Sequence, residues 1–503
     1  MKILILYPNF YGMNMLPPAV GLFTAILKKE GHEVALFDST IYEHVEGFNN
    51  IDFDKKKAKE LNARAYDDTI IREHIKNSNC LLDFKAKVES FQPGLIAMSC
   101  TEDMYPLGVT ILKSLGKERP TVVAGGIFPT SSPDLTIDFS EETVDYVLTG
   151  EGENSLPEFI RRLEKGGDLK ISMKTVEGIC YYTDKNKLHK NPLPATVDVN
   201  RLELPDYFLF EESRYYRPMQ GKVWRMFPIE THRGCPYTCA YCNSPTTMDI
   251  YKAENQKFFR KKTIKNVEAE IIHCIKNYKA DSFYFWADTF LAWTGEEFNE
   301  FCDMYKSYKL PFWIQTRPET ITEDRVKRLK EVGILRIAFG LEHGNEKFRE
   351  TMLSRKIKNR QIIEKLEIVS KYDIPYSVNN IMGFPGETRE LVFDTIELNR
   401  QIKADGHNAY TFTPFHGTPL REVAENMGLI TKEELSRCIG EPSVLNMAQF
   451  TPDQIEGIRR CFVLYVKMPK SRWPDIEKAE KLTSEGDRIY QQLLTECSTS
   501  YMD

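Results

Sequence analysis

The chain has no second Cys-x2-Cys pair beyond the one at Cys239 and Cys242. That leaves no ready partner for a four-thiolate zinc site. No uninterrupted apolar run approaches the ~20 residues that a membrane-spanning helix needs, and the opening Met1–Pro8 stretch is too short for a signal peptide. Basic excess is absent: the formal net charge is −6. A nucleic-acid surface is therefore not expected, and Arg260-Lys261-Lys262 reads as a solvated face. There are no internal repeats and no low-complexity segments. Outside one loop the cysteines (80, 100, 180, 274, 302, 438, 461 and 497) are scattered. They form no disulfide framework, which fits a reducing cytoplasm.

What is present is a soluble, globular composition, 42% hydrophobic and 28% charged, in a chain of 503 residues. That length predicts two or three domains.

Thr231-His232-Arg233-Gly234-Cys235-Pro236-Tyr237-Thr238-Cys239-Ala240-Tyr241-Cys242 places three cysteines at Cys-x3-Cys-x2-Cys. Soft thiolates select zinc, Cu(I) or iron–sulfur. Three of them without a fourth suit a [4Fe–4S] cluster with one iron left open.

The N-terminal third alternates strand and helix. Lys2–Tyr7, His32–Asp38, Leu95–Cys100, Thr121–Gly126 and Val144–Gly150 read as strands. Helices are expected at Pro17–Gly31, Tyr105–Leu115 and Ser155–Leu163, and a charged helical insertion at 41–90. This predicts a doubly wound parallel sheet of about five strands. Ligands bind such sheets beyond the carboxyl ends of the strands. The turns Ser99-Cys100-Thr101, Gly125-Gly126-Ile127-Phe128-Pro129-Thr130 and Gly150-Glu151-Gly152-Glu153 lie there.

Residues 166–230 are a connector with a short hairpin at Val176–Lys187 and proline-broken segments. From Pro228-Ile229-Glu230 onward six strand–helix units follow, with strands at Ser282–Asp288, Phe312–Arg317, Arg336–Glu342, Tyr376–Gly383 and Asn408–Pro414. They predict a partial barrel of parallel strands with function at the C-terminal strand ends. Asp288, Gln315, Arg317, Glu342, Arg355 and Asn379 are the polar residues at or near those ends. The tail reads as helices at Thr431–Cys438, Pro452–Lys467 and Pro474–Leu494.

The cysteine stretch resembles the signature of the radical S-adenosylmethionine (SAM) enzymes. The resemblance implies that Cys235, Cys239 and Cys242 hold the cluster. The open iron would then chelate SAM, and one electron would cleave it to a 5′-deoxyadenosyl radical. Gly340-Leu341-Glu342-His343-Gly344 is similar to the family's Gly-x-Glu-Ser-Gly segment, with His343 in place of serine. Met352-Leu353-Ser354-Arg355 is similar to the segment whose arginine pairs with the SAM carboxylate, and Ile381–Thr388 to the segment beside adenine. The resemblance thus assigns SAM to Tyr241, Asp288, Gln315, Glu342, Arg355, Asn379 and Ile381.

The N-terminal third resembles the cobalamin-binding domain that precedes the barrel in one subclass. Pro17–Leu22, Gly125-Gly126 with Pro129-Thr130, and Val144-Asp145-Tyr146 leading into Gly150–Glu153 carry that likeness. It implies cobalamin contacts at Asn9, Tyr11, Met13, Ser99, Thr101, Gly125, Gly126, Phe128, Thr130, Gly150, Glu151 and Gly152. The loop Pro8–Asn14 has no histidine, so it cannot offer the cobalt ligand of the methionine-synthase pattern.

The domains expected are 1–165 (cobalamin type), 166–230 (linker), 231–425 (radical SAM partial barrel) and 426–503 (helical cap). The function implied is a cobalamin-dependent methyltransferase acting on an unactivated carbon, with a small-molecule substrate and an electron donor. The alternative is a cyclase or oxidative rearrangement enzyme of the same architecture.

Overall fold

The computed structural model describes residues 1–13, 15–48, 52–167, 172–184, 187–438 and 440–502. Asn14, Lys185, Asn186 and Ile439, parts of the expected loop, hairpin and tail, lie outside the described residues.

Each expected strand of the N-terminal third forms. β1 (Lys2–Tyr7), β2 (Glu33–Asp38), β3 (Leu95–Ser99), β4 (Thr121–Gly125) and β5 (Tyr146–Leu148) are parallel, in the order β2-β1-β3-β4-β5. Their apolar runs are buried on both faces, as a parallel sheet requires. The hairpin also forms, as β6 (Ile179–Asp184) and β7 (Lys187–Lys190), and it extends this sheet antiparallel to β5. Residues 41–90 carry helices as expected, at Phe53–Lys59, Thr69–Arg72 and Cys80–Phe91, and differ from expectation in the role of the last. The helix Cys80–Phe91, capped by Asn79, is the crossover from β2 to β3, not an insertion.

The second sheet runs β16-β15-β14-β13-β12-β9-β8. β8 (Tyr216–Met219) and β9 (Lys222–Glu230) form an antiparallel hairpin. A two-residue ribbon, β10 (His232–Arg233) with β11 (Arg260–Lys261), lies apart. From β9 onward, β12 (Ser282–Trp286), β13 (Phe312–Thr316), β14 (Ile334–Glu342), β15 (Tyr376–Met382) and β16 (Gly406–Thr411) are parallel, completing the six predicted units. Residues 166–230, expected as a connector, thus supply strands to both sheets. On β14 and β15 alternate residues are fully covered by helices, while Arg336, Ala338, Gly340, Asn379 and Ile381 remain half-buried on the inner face. This is the period-two pattern of a sheet with one water-reached side.

A partial barrel has an open flank between its first and last strands. Here the segment after β2 crosses it. Asn62 Oδ1 accepts from His407 N on β16 (3.2 Å), and Arg64 pairs with Asp405 (3.5 Å). Across the gap, the Ala65 carbonyl and the Arg64 side chain abut Gly221 in the β8–β9 turn.

The tail departs from its expected pattern in two places. Pro452–Lys467 is helical with a Thr451 capping box, as predicted. Residues 431–438 are not helical. Their carbonyls are taken by side chains: Arg421 donates to the carbonyls of Thr431 and Glu434, and His416 Nε2 bonds that of Lys432. A carbonyl engaged in this way is lost to a helix. The last helix is split into Trp473–Ala479 and Ser484–Ser500, with Thr483 capping the second half.

A fully buried ion pair ties the loop after β1 to the connector. Arg214 Nε donates to Asp38 Oδ2 (2.7 Å), and its two Nη atoms donate to the carbonyls of Met13 and Met15. Removing one partner of a buried pair leaves the other charge uncompensated and costs about 3–5 kcal/mol. Arg214→Ala is therefore expected to lower the unfolding free energy measured in urea by that order, with Asp38→Ala similar and the double variant less than additive. Losses under about 1 kcal/mol would contradict this role.

Candidate active site

The cysteine loop leaves β10 through Gly234, whose φ of +82° belongs to glycine; a Cβ there would lie 2.7 Å from Phe258 Cδ1. The loop is then pinned by backbone bonds. Ala240 N donates to the Leu353 carbonyl (3.2 Å), Leu420 N to the Ala240 carbonyl (3.1 Å), and Cys242 N to the Cys239 carbonyl (3.2 Å). Donors surround the sulfurs. The Tyr237 and Ser244 amides reach Cys235 and Cys242, and Thr289 Oγ1 sits 3.6 Å from Cys235. Arg317 Nη1 donates to Cys239 Sγ (3.4 Å) while its guanidinium lies 3.8 Å from the Tyr237 ring centroid.

The three sulfurs share one electrostatic neighbourhood. Burial pushes the Cys235 and Cys242 thiols up, the latter to about 12, and Asp288 and the neighbouring cysteines add to the shift. A bound cation reverses that balance and draws the thiolate form. Among the described residues no three His, Cys, Asp or Glu side chains are placed to hold a single metal ion. An iron–sulfur cluster takes each thiolate on a different iron and needs no common centre. The donor set and its hydrogen bonds fit a cluster held by Cys235, Cys239 and Cys242.

Beside the loop, the structure gathers several predicted residues. Glu342 is buried with φ +67°, a conformation costly for a side chain with a Cβ, at a register shift between Gly340 and Glu342. Its Oε1 accepts from Arg355 Nη1 (3.0 Å), and Arg355 also donates to the Gly340 carbonyl (2.9 Å) and to Tyr241 Oη (3.4 Å). Burial raises the Glu342 carboxyl and Arg355 opposes it. Burial works against charge on Arg355, but Tyr241, Glu342 and Glu319 outweigh it. Ile381 packs in the same cluster as Tyr241 and Phe384. Gln315 donates to the Ala287 carbonyl (3.2 Å), and Asn379 accepts from Asn408 (2.9 Å). Asp288, its carboxyl raised by burial, lies beside Ser244 next to the cysteines.

His343 faces away from this crevice. Fully buried, it takes the Asn345 amide on Nδ1 and so carries its proton on Nε2, 2.9 Å from Glu387 Oε1. Glu387 in turn accepts from the amides of Gly383 and Phe384, fixing that turn. Sequence reasoning missed Glu319, Thr289 and Ser244. Arg317-Pro318-Glu319 directly after a strand was the available signal for the first.

The carboxyl edge of the N-terminal sheet abuts the helix Asn243–Ala253 that follows Cys242. Gly417 lies between them: a Cβ there would stand 3.0 Å from Thr246 and 3.2 Å from Ser131, and Thr246 Oγ1 donates to its carbonyl. Gly126 (φ +135°) approaches the Cys100 carbonyl, where a Cβ would stand 2.2 Å away. Thr130 donates to the Gly126 carbonyl and accepts from Gly150 N. Met13, Ser99, Thr101, Gly125, Gly126, Thr130 and Gly150 keep exposure on this edge, beside Ile127 at 50% exposed. Small turns next to an exposed aliphatic side chain fit the apolar underside of a large planar cofactor. The other expected contacts are engaged within the protein. Asn9 bonds Met13 and Thr40, Tyr11, Phe128 and Gly152 are buried, and Glu151 pairs with Arg233 and Arg260.

Residues 229–398 match the radical SAM superfamily. The chain carries a radical SAM domain and is an enzyme. Its fold over nearly the whole length is that of the cobalamin-dependent members. It superposes on the Kitasatospora setae methyltransferase TsrM, solved with cobalamin and a [4Fe–4S] cluster, with a TM-score of 0.64, 14% identity and 99% of both chains covered. On the cobalamin-dependent radical enzyme OxsB the TM-score is 0.65, with 15% identity over 99% of this chain and 71% of that one. Among curated proteins it is 25% identical to an uncharacterised methyltransferase of Pyrococcus horikoshii over 78% of this chain and 83% of that one. It is 24% identical to the anaerobic magnesium-protoporphyrin IX monomethyl ester cyclase of Rubrivivax gelatinosus, over 80% and 72%. No described helix is long and apolar enough to cross a membrane.

Burial holds His232 and His407 neutral, lowering each to about 3. The unfolded chain binds those protons near pH 6.5 and the native state does not. Stability is thus whole above that pH and falls as pH drops from ~6.5 toward 3, by about 1.4 kcal/mol per pH unit for each histidine. His407→Gln is expected to remove about one proton from that dependence, measured as the slope of unfolding free energy between pH 6 and 4. An unchanged slope would refute the assignment.

Proposed function

We propose that this protein is a cobalamin-dependent radical SAM methyltransferase acting on an unactivated carbon of a small molecule. The observation that carries the reading is the apposition of two carboxyl edges. The segment Gly126–Ser131 of one sheet packs on the helix that follows Cys242 of the other. Bound there, a cluster with SAM supplies a hydrogen-abstracting radical, and cobalamin supplies a methyl group.

In this reading 1–165 form the cobalamin-side domain, 166–230 a connector, 231–425 the radical domain and 426–503 a cap. Arg355 is held charged by Glu342 and Glu319, which suits its planar fork to a carboxylate. Tyr241 braces it from the cysteine loop, so loop position and carboxylate grip are set together. Asn379, Gln315 and Ile381 line the inner face toward that grip. Arg317 adds a cationic donor at Cys239, which favours a more electron-rich cluster on reduction. The helices of the tail bury the outer side of β16 and exclude water from the chamber. A reducing cytoplasm and a reducing electron donor complete the setting.

A second reading, ring formation or oxidative rearrangement, is favoured by the extended similarity to the cyclase. Product mass separates them: methylation adds ~14 daltons, while cyclisation removes two hydrogens.

Anaerobic reconstitution with iron, sulfide and hydroxocobalamin is expected to give about four iron and one cobalt per chain. Four iron without cobalt would overturn the cobalamin reading and favour the second one. Cys239→Ala is expected to lose the cluster and reductive SAM cleavage by more than a hundredfold. Cleavage surviving that change would sink the site.

A further inference from the structure

Two arginines stand inside the partial barrel without a partner. Arg336 lies on the inner face of β14, and among the described residues it makes no hydrogen bond or ion pair. Its nearest carboxylate, Asp405, is already paired with Arg64. Arg217 on β8 likewise makes no hydrogen bond, and its Nε is buried. Its guanidinium sits 5.5 Å from the Trp313 ring centroid. In the β8–β9 turn, both amide atoms of Gln220 are also buried without partners.

These groups share the inner face of the sheet, where the Arg336 guanidinium reaches toward Gly406 at the start of β16. Tyr284, Trp313 and Arg336 are successive cross-strand partners on β12, β13 and β14. The Tyr284 and Trp313 rings are stacked at 3.8 Å, nearly parallel. Met226 and Met15 complete the apolar floor, and Trp286, 37% exposed, stands one inward position nearer the cysteine loop. A half-buried guanidinium with no anion bound against it is left free to take one from a ligand. Burial, with the nearby Arg64, lowers the Arg336 pKa, and Asp405 opposes the shift without cancelling it.

Resting on the reading of the barrel as the reaction chamber, we propose that Arg217 and Arg336 bind the anionic group of the substrate. The stacked Tyr284–Trp313 pair then supports a flat apolar body that reaches along the inner face toward Gly340 and Asn379. The substrate class is therefore an acid with a planar hydrophobic frame. Arg217 and Arg336 are specificity residues, remote from the cysteine loop. The guanidinium charges persist at any working pH, so recognition is set by the ionisation of the ligand and not of the protein.

The test is equilibrium dialysis of the full-length protein with 1-naphthaleneacetate and its neutral amide. The acid is expected to bind at least tenfold tighter than the amide. Arg217→Gln and Arg336→Gln should each shrink that preference severalfold, and the double variant should abolish it. Arg336→Lys should keep part of it. Melting temperature and iron content should stay unchanged in the variants. If a glutamine variant fails to fold, the lysine variant and the pair of ligands still decide. The Cys239→Ala protein should retain the acid preference, so failure of the cluster assignment and failure of this one are separable. Equal binding of acid and amide, or a preference that survives in the double glutamine variant, would overturn the proposal.

Discussion

Arg233 stands two residues before Cys235 and is enclosed by Glu151, Glu153 and Glu230. Arg260 on the neighbouring ribbon strand also reaches Glu151, and Lys262 joins Glu230 to the fully buried Glu270. Glu151 and Glu153 stand at the start of the helix Gly152–Lys165 that follows β5 of the first sheet, and the rest belong to the second sheet's entry. Burial opposes the charge on Glu230, yet Arg233 and Lys262 hold its carboxyl down at about 2. Partly buried charges repay their desolvation only in such dense company. Where the cysteine loop emerges relative to the first sheet is therefore an electrostatic matter. The alignment of the two carboxyl edges depends on this seam.

A second clamp acts on the far side. Glu102, at the carboxyl end of β3, is nearly fully buried and accepts from the amides of His416 and Ser436 and from His416 Nδ1. Burial opposes its charge, and His416 outweighs that to lower the carboxyl. With Arg421 it joins the tail to the first sheet. Elements more than three hundred residues apart are thus fixed as one body around the chamber.

Strands were legible because parallel strands buried on both faces leave unbroken apolar runs, as in Lys2–Tyr7 and Thr121–Gly125. The cysteine spacing was legible because ligand geometry is local. Residues 431–438 were not, because the partners that unwind them, Arg421 and His416, come from another element. Glu151 read as a ligand-side residue from its glycine-flanked turn. Its actual partners, Arg233 and Arg260, lie in a different sheet and leave no trace in local pattern. Arg336 and Arg217 carried no signal either. An arginine in a strand has meaning only once the inward face and its neighbours are known.

The clamp from Arg214 bears on modularity. In the loop after β1, the carbonyls of Met13 and Met15 are held by a guanidinium encoded two hundred residues later, next to the barrel's first hairpin. Met15 from that same loop forms part of the barrel floor. The first sheet is therefore not a detachable cassette. A chimera that exchanged only the N-terminal third would separate Asp38 from Arg214 and leave the floor without one of its methionines. Shuffling between relatives is constrained to keep the loop after β1 and the connector together, so the two must diverge in step.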